Sequence, residues 1–273
     1  MAIFSIVPAT AQRLATGLLF VLIFSGIAHS ATLYEQSLAL LRQQTAGMSG
    51  GEYSFVVMGD NRGNDAVFRK ALQKAAAIKP LFILHMGDIS DAGSRAETTT
   101  FLETVRTTAP GIPMFVVFGN HEQRSVFEQL IAPLEYSIDI PELQTTLAIA
   151  NNADYKFDVK RRDKLREVLK KGRKLKFVAM HIPPKTPRWH WHTFVEGSLP
   201  LLNLLDEQKP AMVFYGHIHL YDNDVIKGTP QIISGGAGAP LVPFGFPGTP
   251  AYHLVLVRVK DGRASHEMIR LQE

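Results

Sequence analysis

Met114-Phe115-Val116-Val117-Phe118-Gly119-Asn120-His121-Glu122 is the stretch on which the fold turns. Its first five residues are apolar, the pattern of a buried strand. The run passes directly into Gly-Asn-His-Glu, which sets polar side chains at a strand's carboxyl end. Open α/β sheets build their sites at that edge. Asn120 offers a neutral oxygen ligand, and His121 offers a proton donor beside it. A strand ending in Gly-Asn is also an ordinary turn, so the meaning of this stretch depends on its neighbours.

The same device occurs twice upstream. Tyr53–Met58 reads as a buried strand ending in Gly59-Asp60, followed by a helix from about Asp65 to Ile78 and closed by Pro80. Leu81–Met86 is a second strand, ending in Gly87-Asp88, and Ser94-Arg95-Ala96-Glu97 has the form of a capping box opening the next helix. Strands alternating with helices predict parallel pairing through right-handed crossovers. All three polar ends then share one sheet edge. Downstream, Tyr136–Ile140 and Thr145–Ala150 read as strands and Lys160–Lys171 as a helix. Leu175–Met180 is a strand ending in His181-Ile182-Pro183-Pro184, and Leu199–Leu205 is a helix. Ala211–Tyr215 is a strand ending in Gly216-His217-Ile218-His219, followed by a strand-rich tail over Asp224–Lys227, Gln231–Ser234, Tyr252–Lys260 and Ala264–Leu271.

The chain has 273 residues, 46% hydrophobic and 20% charged, enough for one large α/β domain. Residues 51–273 are assigned to that domain and residues 31–50 to a lead-in, with Tyr34, Leu38 and Leu41 on one helical face. Residues 1–30 have another character. Arg13 precedes an apolar run from Leu14 to Ile27, and Ala28-His29-Ser30-Ala31 supplies small residues for a peptidase. This is the pattern of a secretory signal peptide, and it predicts an exported protein, periplasmic or secreted. The rival is an uncleaved anchor, but the run falls short of the ~20 residues that a spanning helix needs. A membrane contact is expected only through this segment, if uncleaved. Cleavage near Ser30 would remove one positive charge from the net +4. There are no cysteines, which excludes disulfides and thiolate metal sites. Any metal must be held by His, Asp, Glu or Asn.

Five strand ends therefore carry Asp60, Asp88, Asn120 with His121, His181, and His217 with His219. Oxygen and imidazole donors without sulfur suit manganese, iron or zinc. Asp88 is the natural carboxylate to bridge two ions, because its strand lies between the other two in sequence. His217 and His219, one residue apart, can reach different ions from one turn.

The ordered set resembles the calcineurin-like metallophosphoesterase superfamily, which includes purple acid phosphatases, over roughly Tyr53 to Leu241. The resemblance implies an α/β fold of two packed mixed β-sheets flanked by helices, a four-layer sandwich. It implies one metal held by Asp60, Asp88 and His219, and a second held by Asp88, Asn120, His181 and His217. It also implies attack on phosphorus by metal-bound hydroxide, with His121 assisting the departing oxygen. Two divalent or trivalent ions (Mn, Fe or Zn) are the expected cofactors. The expected substrate is a small-molecule or a lipid or polymer phosphate ester, monoester or diester. The alternative is a relative that binds a phosphorylated ligand with little or no turnover.

One position departs from the family pattern. The first motif commonly runs Asp-x-His, with the histidine on the first metal, whereas here it runs Asp60-Asn61-Arg62. A guanidinium has no lone pair to donate. The first metal then loses a ligand or takes water or Asn61, and is expected to bind weakly. Arg62 is expected at the mouth of the site, gripping phosphate oxygens with its planar fork. Otherwise it pairs with a carboxylate such as Asp65.

Other features are less directed. Trp189-His190-Trp191-His192 reads either as a substrate wall or as a surface loop packed on its own aromatics. His85 and His253 read as core residues, while Asp91 and Glu122 either orient ligands or simply satisfy a turn. The basic run from Lys160 to Lys176 reads as a solvated helix face, with attraction to an anionic surface or polymer as its alternative. No specific nucleic-acid signal stands out. Ser234–Ala239 is glycine-rich but opens no helix, so it is not a nucleotide-type phosphate loop.

Overall fold

The computed structural model describes residues 31–243 and 245–271. The signal segment expected over residues 1–30 lies outside them. Among the described residues no helix is long and apolar enough to cross a membrane.

Helix α1 (Leu33–Thr45) begins at Thr32, whose side chain caps the Glu35 N–H while the Glu35 carboxylate accepts from the Thr32 N–H. Its Leu41 is buried, with Tyr34 and Leu38 packed on the same core, so the lead-in is part of the domain's packing. Strand β1 (Tyr53–Met58), helix α2 (Asp65–Ile78), β2 (Ile83–His85), α3 (Arg95–Thr108) and β3 (Met114–Val116) follow in the expected alternation. The capping box opening α3 is present between Ser94 and Glu97. A short helix, α4 (Arg124–Leu130), adds to the expected alternation. Then come β4 (Tyr136–Ile140), β5 (Thr145–Ile149), α5 (Val159–Lys171), β6 (Leu175–Ala179), α6 (Ser198–Gln208) and β7 (Met212–Tyr215). The chain ends in β8 (Tyr221–Ile226), β9 (Thr229–Ser234), β10 (His253–Lys260) and β11 (Arg263–Arg270).

Two mixed sheets result, with strand orders β11-β10-β1-β2-β3 and β4-β5-β6-β7-β9-β8. β1, β2 and β3 run parallel, as do β5, β6, β7 and β9, while β4, β8, β10 and β11 pair antiparallel. The continuous apolar runs are explained by burial on both faces. Phe55 and Val57 point between the sheets, whereas Val56 and Met58 point outward with α2 and α3 residues such as Phe68, Leu72 and Phe101. Phe177 and Ala179 likewise face inward, and Val178 faces outward towards Leu165, Leu169 and Leu201 of α5 and α6. Between the sheets the Phe55 ring lies 4.7 Å from Phe82, 5.1 Å from Phe177 and 5.8 Å from Phe214. Burying each such ring contributes roughly 1.5–3 kcal/mol. The inter-sheet core brings the exits of β1, β2, β3, β6 and β7 to one edge of the sandwich.

Candidate metal centre

The turns after β1, β2 and β7 use the same local device. Asp60, Asp88 and His217 have φ of 61°, 53° and 65°, left-handed values that cost a non-glycine residue roughly 1–2 kcal/mol. Each follows a glycine, and two of the site's glycines are needed for space. A Cβ on Gly119 would stand 2.3 Å from Asp88 Oδ1, and one on Gly216 would stand 2.5 Å from Asp60 Oδ2. The chain gives up side chains at these points so that carboxylates can face a common centre.

The six expected metal ligands are brought together. Ligand atoms of Asp60, Asp88 and His219 lie within 4.8 Å of one another, and so do those of Asp88, His181 and His217. Asp88 belongs to both groups. Asn120 joins the second group, its Oδ1 lying 3.0 Å from His181 Nε2, which is also 3.3 Å from Asp88 Oδ1. His181 Nδ1 donates to the Met86 carbonyl at 2.7 Å and His219 Nδ1 to the Pro240 carbonyl at 2.8 Å. These bonds orient both rings and leave each Nε2 facing the centre. His219 Nε2 is 3.8 Å from Asp60 Oδ1, which also accepts the His217 backbone N–H at 2.9 Å. Glu122 organises the turns from behind, accepting N–H bonds from Asp88, Ile89 and Gly119 at 3.1, 2.8 and 2.6 Å. The glycine-rich segment lies alongside: Ala237 and Ala239 donate to the carbonyls of Gly59 and Asp60.

Charge and hydrogen bonding both fit cations here. Asp60 Oδ2 is buried without a hydrogen-bond partner, and so is Asn61 Oδ1. Burial pushes the Asp60 carboxyl well above its ordinary range; His181 opposes the shift and Asp88 adds to it. Burial also works against the Asp88 carboxylate, but His181 outweighs it and holds the group below the usual range. The converse holds for His181, which burial would lower and which Asp88 raises to about 10. Glu122 is pushed up to about 7 by burial and by Asp88. His217 and His219 are lowered, chiefly by burial, so both rings keep a free lone pair at neutral pH. Three buried carboxyl groups facing one imidazolium are short of positive charge. Cations at the two shared positions would supply it.

His121 sits at the rim. Its Nδ1 donates to the Asp91 carbonyl at 2.8 Å, and its Nε2 stands 3.9 Å from Asp88 Oδ2. Arg62 is also at the mouth, but its partner is Asp91 (Nε to Oδ1, 2.8 Å) and not Asp65. The nearest carboxylate belongs to the turn after β2, which the parallel sheet sets beside the turn after β1. His85 and His253 are core residues: His85 packs edge-on against Phe68 and Phe101, and His253 donates to the Ala251 carbonyl. The Trp189–His192 loop divides. Trp189 is buried and donates to Asp222, Trp191 is exposed, and the His192 ring lies 6.1 Å from that of His217. Tyr155, whose hydroxyl is 3.1 Å from His217 Nε2, had no signal in the sequence.

A calcineurin-like phosphoesterase profile matches residues 53–221, well over half the chain. The chain belongs to that family. No curated protein matches it significantly. Among solved structures it is similar to purple acid phosphatase PPD1 from yellow lupin, with 15% identity and a TM-score of 0.68 over 81% of this chain and 52% of that one. The chain thus spans about half the length of the lupin protein. It is also similar to GAP50, "the anchor in the inner membrane complex of Plasmodium", with 11% identity and a TM-score of 0.61 over 82% and 86% of the two chains. A dimetal phosphatase from Danio rerio matches with 15% identity and a TM-score of 0.57 over 81% of this chain and 99% of that one. At these identities the likeness is one of fold.

Proposed function

We propose that the protein is an exported metal-dependent phosphoesterase that hydrolyses a phosphomonoester or phosphodiester. One observation carries the reading: Asp88 is shared by two groups of ligand atoms, the arrangement that two cations need. When bound, paired cations supply Lewis acidity for the phosphate and a water of lowered pKa. Asp60, Asp88 and His219 would hold the first and Asp88, Asn120, His181 and His217 the second. The chain's own residues do the rest. A water attacks phosphorus and sheds a proton, the ester P–O bond breaks, and the departing oxygen takes a proton from the charged His121 at Nε2, which the proton shed by the water then replaces through solvent. The bond from His121 Nδ1 to the Asp91 carbonyl orients that ring, and such a general acid contributes typically ~10²–10⁴-fold. Arg62 holds the substrate phosphate from the mouth of the site. Export is supported by Arg13, the apolar run Leu14–Ile27 and the small residues before Ala31.

A binder of phosphorylated ligands with little turnover is the second reading. Arginine at position 62, where the family pattern has a ligand, favours it. Hydrolysis of a chromogenic phosphomonoester and a phosphodiester with added Mn²⁺ separates the two. Turnover of either supports the enzyme; manganese binding without turnover over a broad panel supports the binder.

A further inference from the structure

We propose that Tyr155 is the positioning residue of the second metal position, fixing the tautomer and ring plane of His217 so that Nδ1 faces the cation. The inference deepens the phosphoesterase reading and rests on its metal assignment. The Tyr155 hydroxyl lies 3.1 Å from His217 Nε2, and the two rings meet edge-on with centroids 5.3 Å apart. That contact takes one of the two ring nitrogens. A cation on Nδ1 requires the proton to sit on Nε2, so the phenol oxygen accepts it and the phenol O–H is left to point outward. Were the phenol to donate instead, Nδ1 would carry the proton and have no lone pair to offer.

The loop is built to make this contact. Tyr155 has φ of 61°, an outlying conformation for a bulky side chain and one that costs roughly 1–3 kcal/mol. The surroundings impose it. The Tyr155 N–H donates to the Asn152 carbonyl at 3.0 Å. Asn152 is fully buried, and its side chain exchanges two hydrogen bonds with Ile182 of 2.6 and 3.0 Å. Ile182 follows His181 directly, so the loop that carries Tyr155 is stapled to a second ligand of the same metal position. On the other flank Asp154 takes a two-pronged pair from Arg161 of α5 at 2.5 and 2.9 Å. His192, itself at φ 51°, brings a further ring to within 6.1 Å of His217 from a separate loop. Partners of this kind on a metal-bound histidine typically contribute about 10- to 100-fold in metal affinity.

The test compares the parent with Tyr155→Phe, which keeps the ring and removes the hydroxyl. In metal-free protein, nitrogen-15 NMR should show His217 as the Nε2–H tautomer in the parent and as a mixture in Tyr155→Phe; an Nδ1–H tautomer in the parent overturns the proposal. Calorimetric titration with Mn²⁺ should then show one site weakened about 10- to 100-fold in Tyr155→Phe and the other unchanged. Two unchanged sites, or two equally weakened ones, also overturn it. Asn152→Ala, which releases the loop, should weaken the same site as Tyr155→Phe. Failure of the parent to hydrolyse any ester, with His217 in the expected tautomer and one Mn²⁺ site weakened in Tyr155→Phe, would remove the catalytic reading and leave this one standing.

Discussion

The two metal positions share Asp88 but are not built alike. The second is held from several sides: His181 leans on the Met86 carbonyl, His217 meets Tyr155, and Asn120 reaches His181. The first has one imidazole, that of His219, and an Asp60 oxygen buried without a partner. Where the family pattern supplies a further histidine, Arg62 turns to Asp91 instead. Affinity for a cation follows from the number of donors and from how firmly each is oriented. The difference therefore teaches that the second group is the more firmly oriented for a cation, whereas the first has at its mouth an arginine, a group that suits phosphate.

Removing what the two positions share should have the largest effect. Asp88→Asn takes one charge from both and frees His181 from its carboxylate partner. Metal content should fall at both positions together, and turnover should drop by at least the roughly 10²–10³-fold that one group aimed at developing charge contributes. Metal analysis of the purified variant checks it; two ions retained would contradict the bridging role. His121→Ala acts differently, because His121 holds no metal in this assignment. The ions should stay, and slowing of about 10²–10⁴-fold should be concentrated on esters with poor leaving groups. A series of aryl phosphates measures this, and equal slowing across the series would remove the general acid.

A smaller effect concerns the support behind the first position. His253 Nδ1 donates to the Ala251 carbonyl, and a Cβ on Gly236 would come within 2.2 Å of that nitrogen, so the ring is packed tightly under the glycine-rich segment. Burial pushes His253 down to about 4. The unfolded chain titrates near the ordinary value of about 6.5 and so binds more protons than the native state between those values. Stability is complete above about pH 6.5 and falls as the pH drops towards 4, by about 2 kcal/mol at pH 5 from this residue. Denaturant unfolding across that range should show the slope, and His253→Phe should flatten it. An unchanged slope would assign the acid lability elsewhere.

The asymmetry was only partly legible in the sequence. Asp60, Asp88, Asn120, His181, His217 and His219 could be read because each follows an apolar strand and a sheet delivers strand ends to one edge. Local order and global position coincide there. Tyr155 escaped because it sits in Asn151–Lys156, a loop without periodicity, and reaches His217 only through the fold. Helix α4 escaped because seven residues are too few for a helical stripe to show. The partner of Arg62 was misplaced because Asp65 is near in sequence, whereas Asp91 is near across the parallel strands β1 and β2. Contacts fixed by neighbouring turns are set in three dimensions, and no spacing along the chain records them.

Arg62 carries the smallest and most discriminating prediction. Its pair with Asp91 is partly exposed, with side-chain accessibilities of 27% and 62%. A pair in that setting is worth about 0–1 kcal/mol, too little to keep the guanidinium from a phosphate that it can grip with two nitrogens. The Asp91 contact is then a resting place beside the site and does not compete with substrate. Arg62→Ala should raise KM and lower kcat together by about tenfold each, because a group that positions phosphate acts in the transition state as well as in binding. A KM left at the parent value would reduce Arg62 to a loop-shaping residue. Arg62→His restores the imidazole of the family pattern. In the parent, Mn²⁺ titration should resolve two unequal constants, the weaker belonging to the position of Asp60 and His219. In Arg62→His the weaker constant should tighten towards the stronger, while phosphate affinity falls. Two equal constants in the parent, unmoved by the substitution, would show that the first position never lacked a ligand, and Asn61, whose buried Oδ1 is without a partner, would be the residue that supplied it.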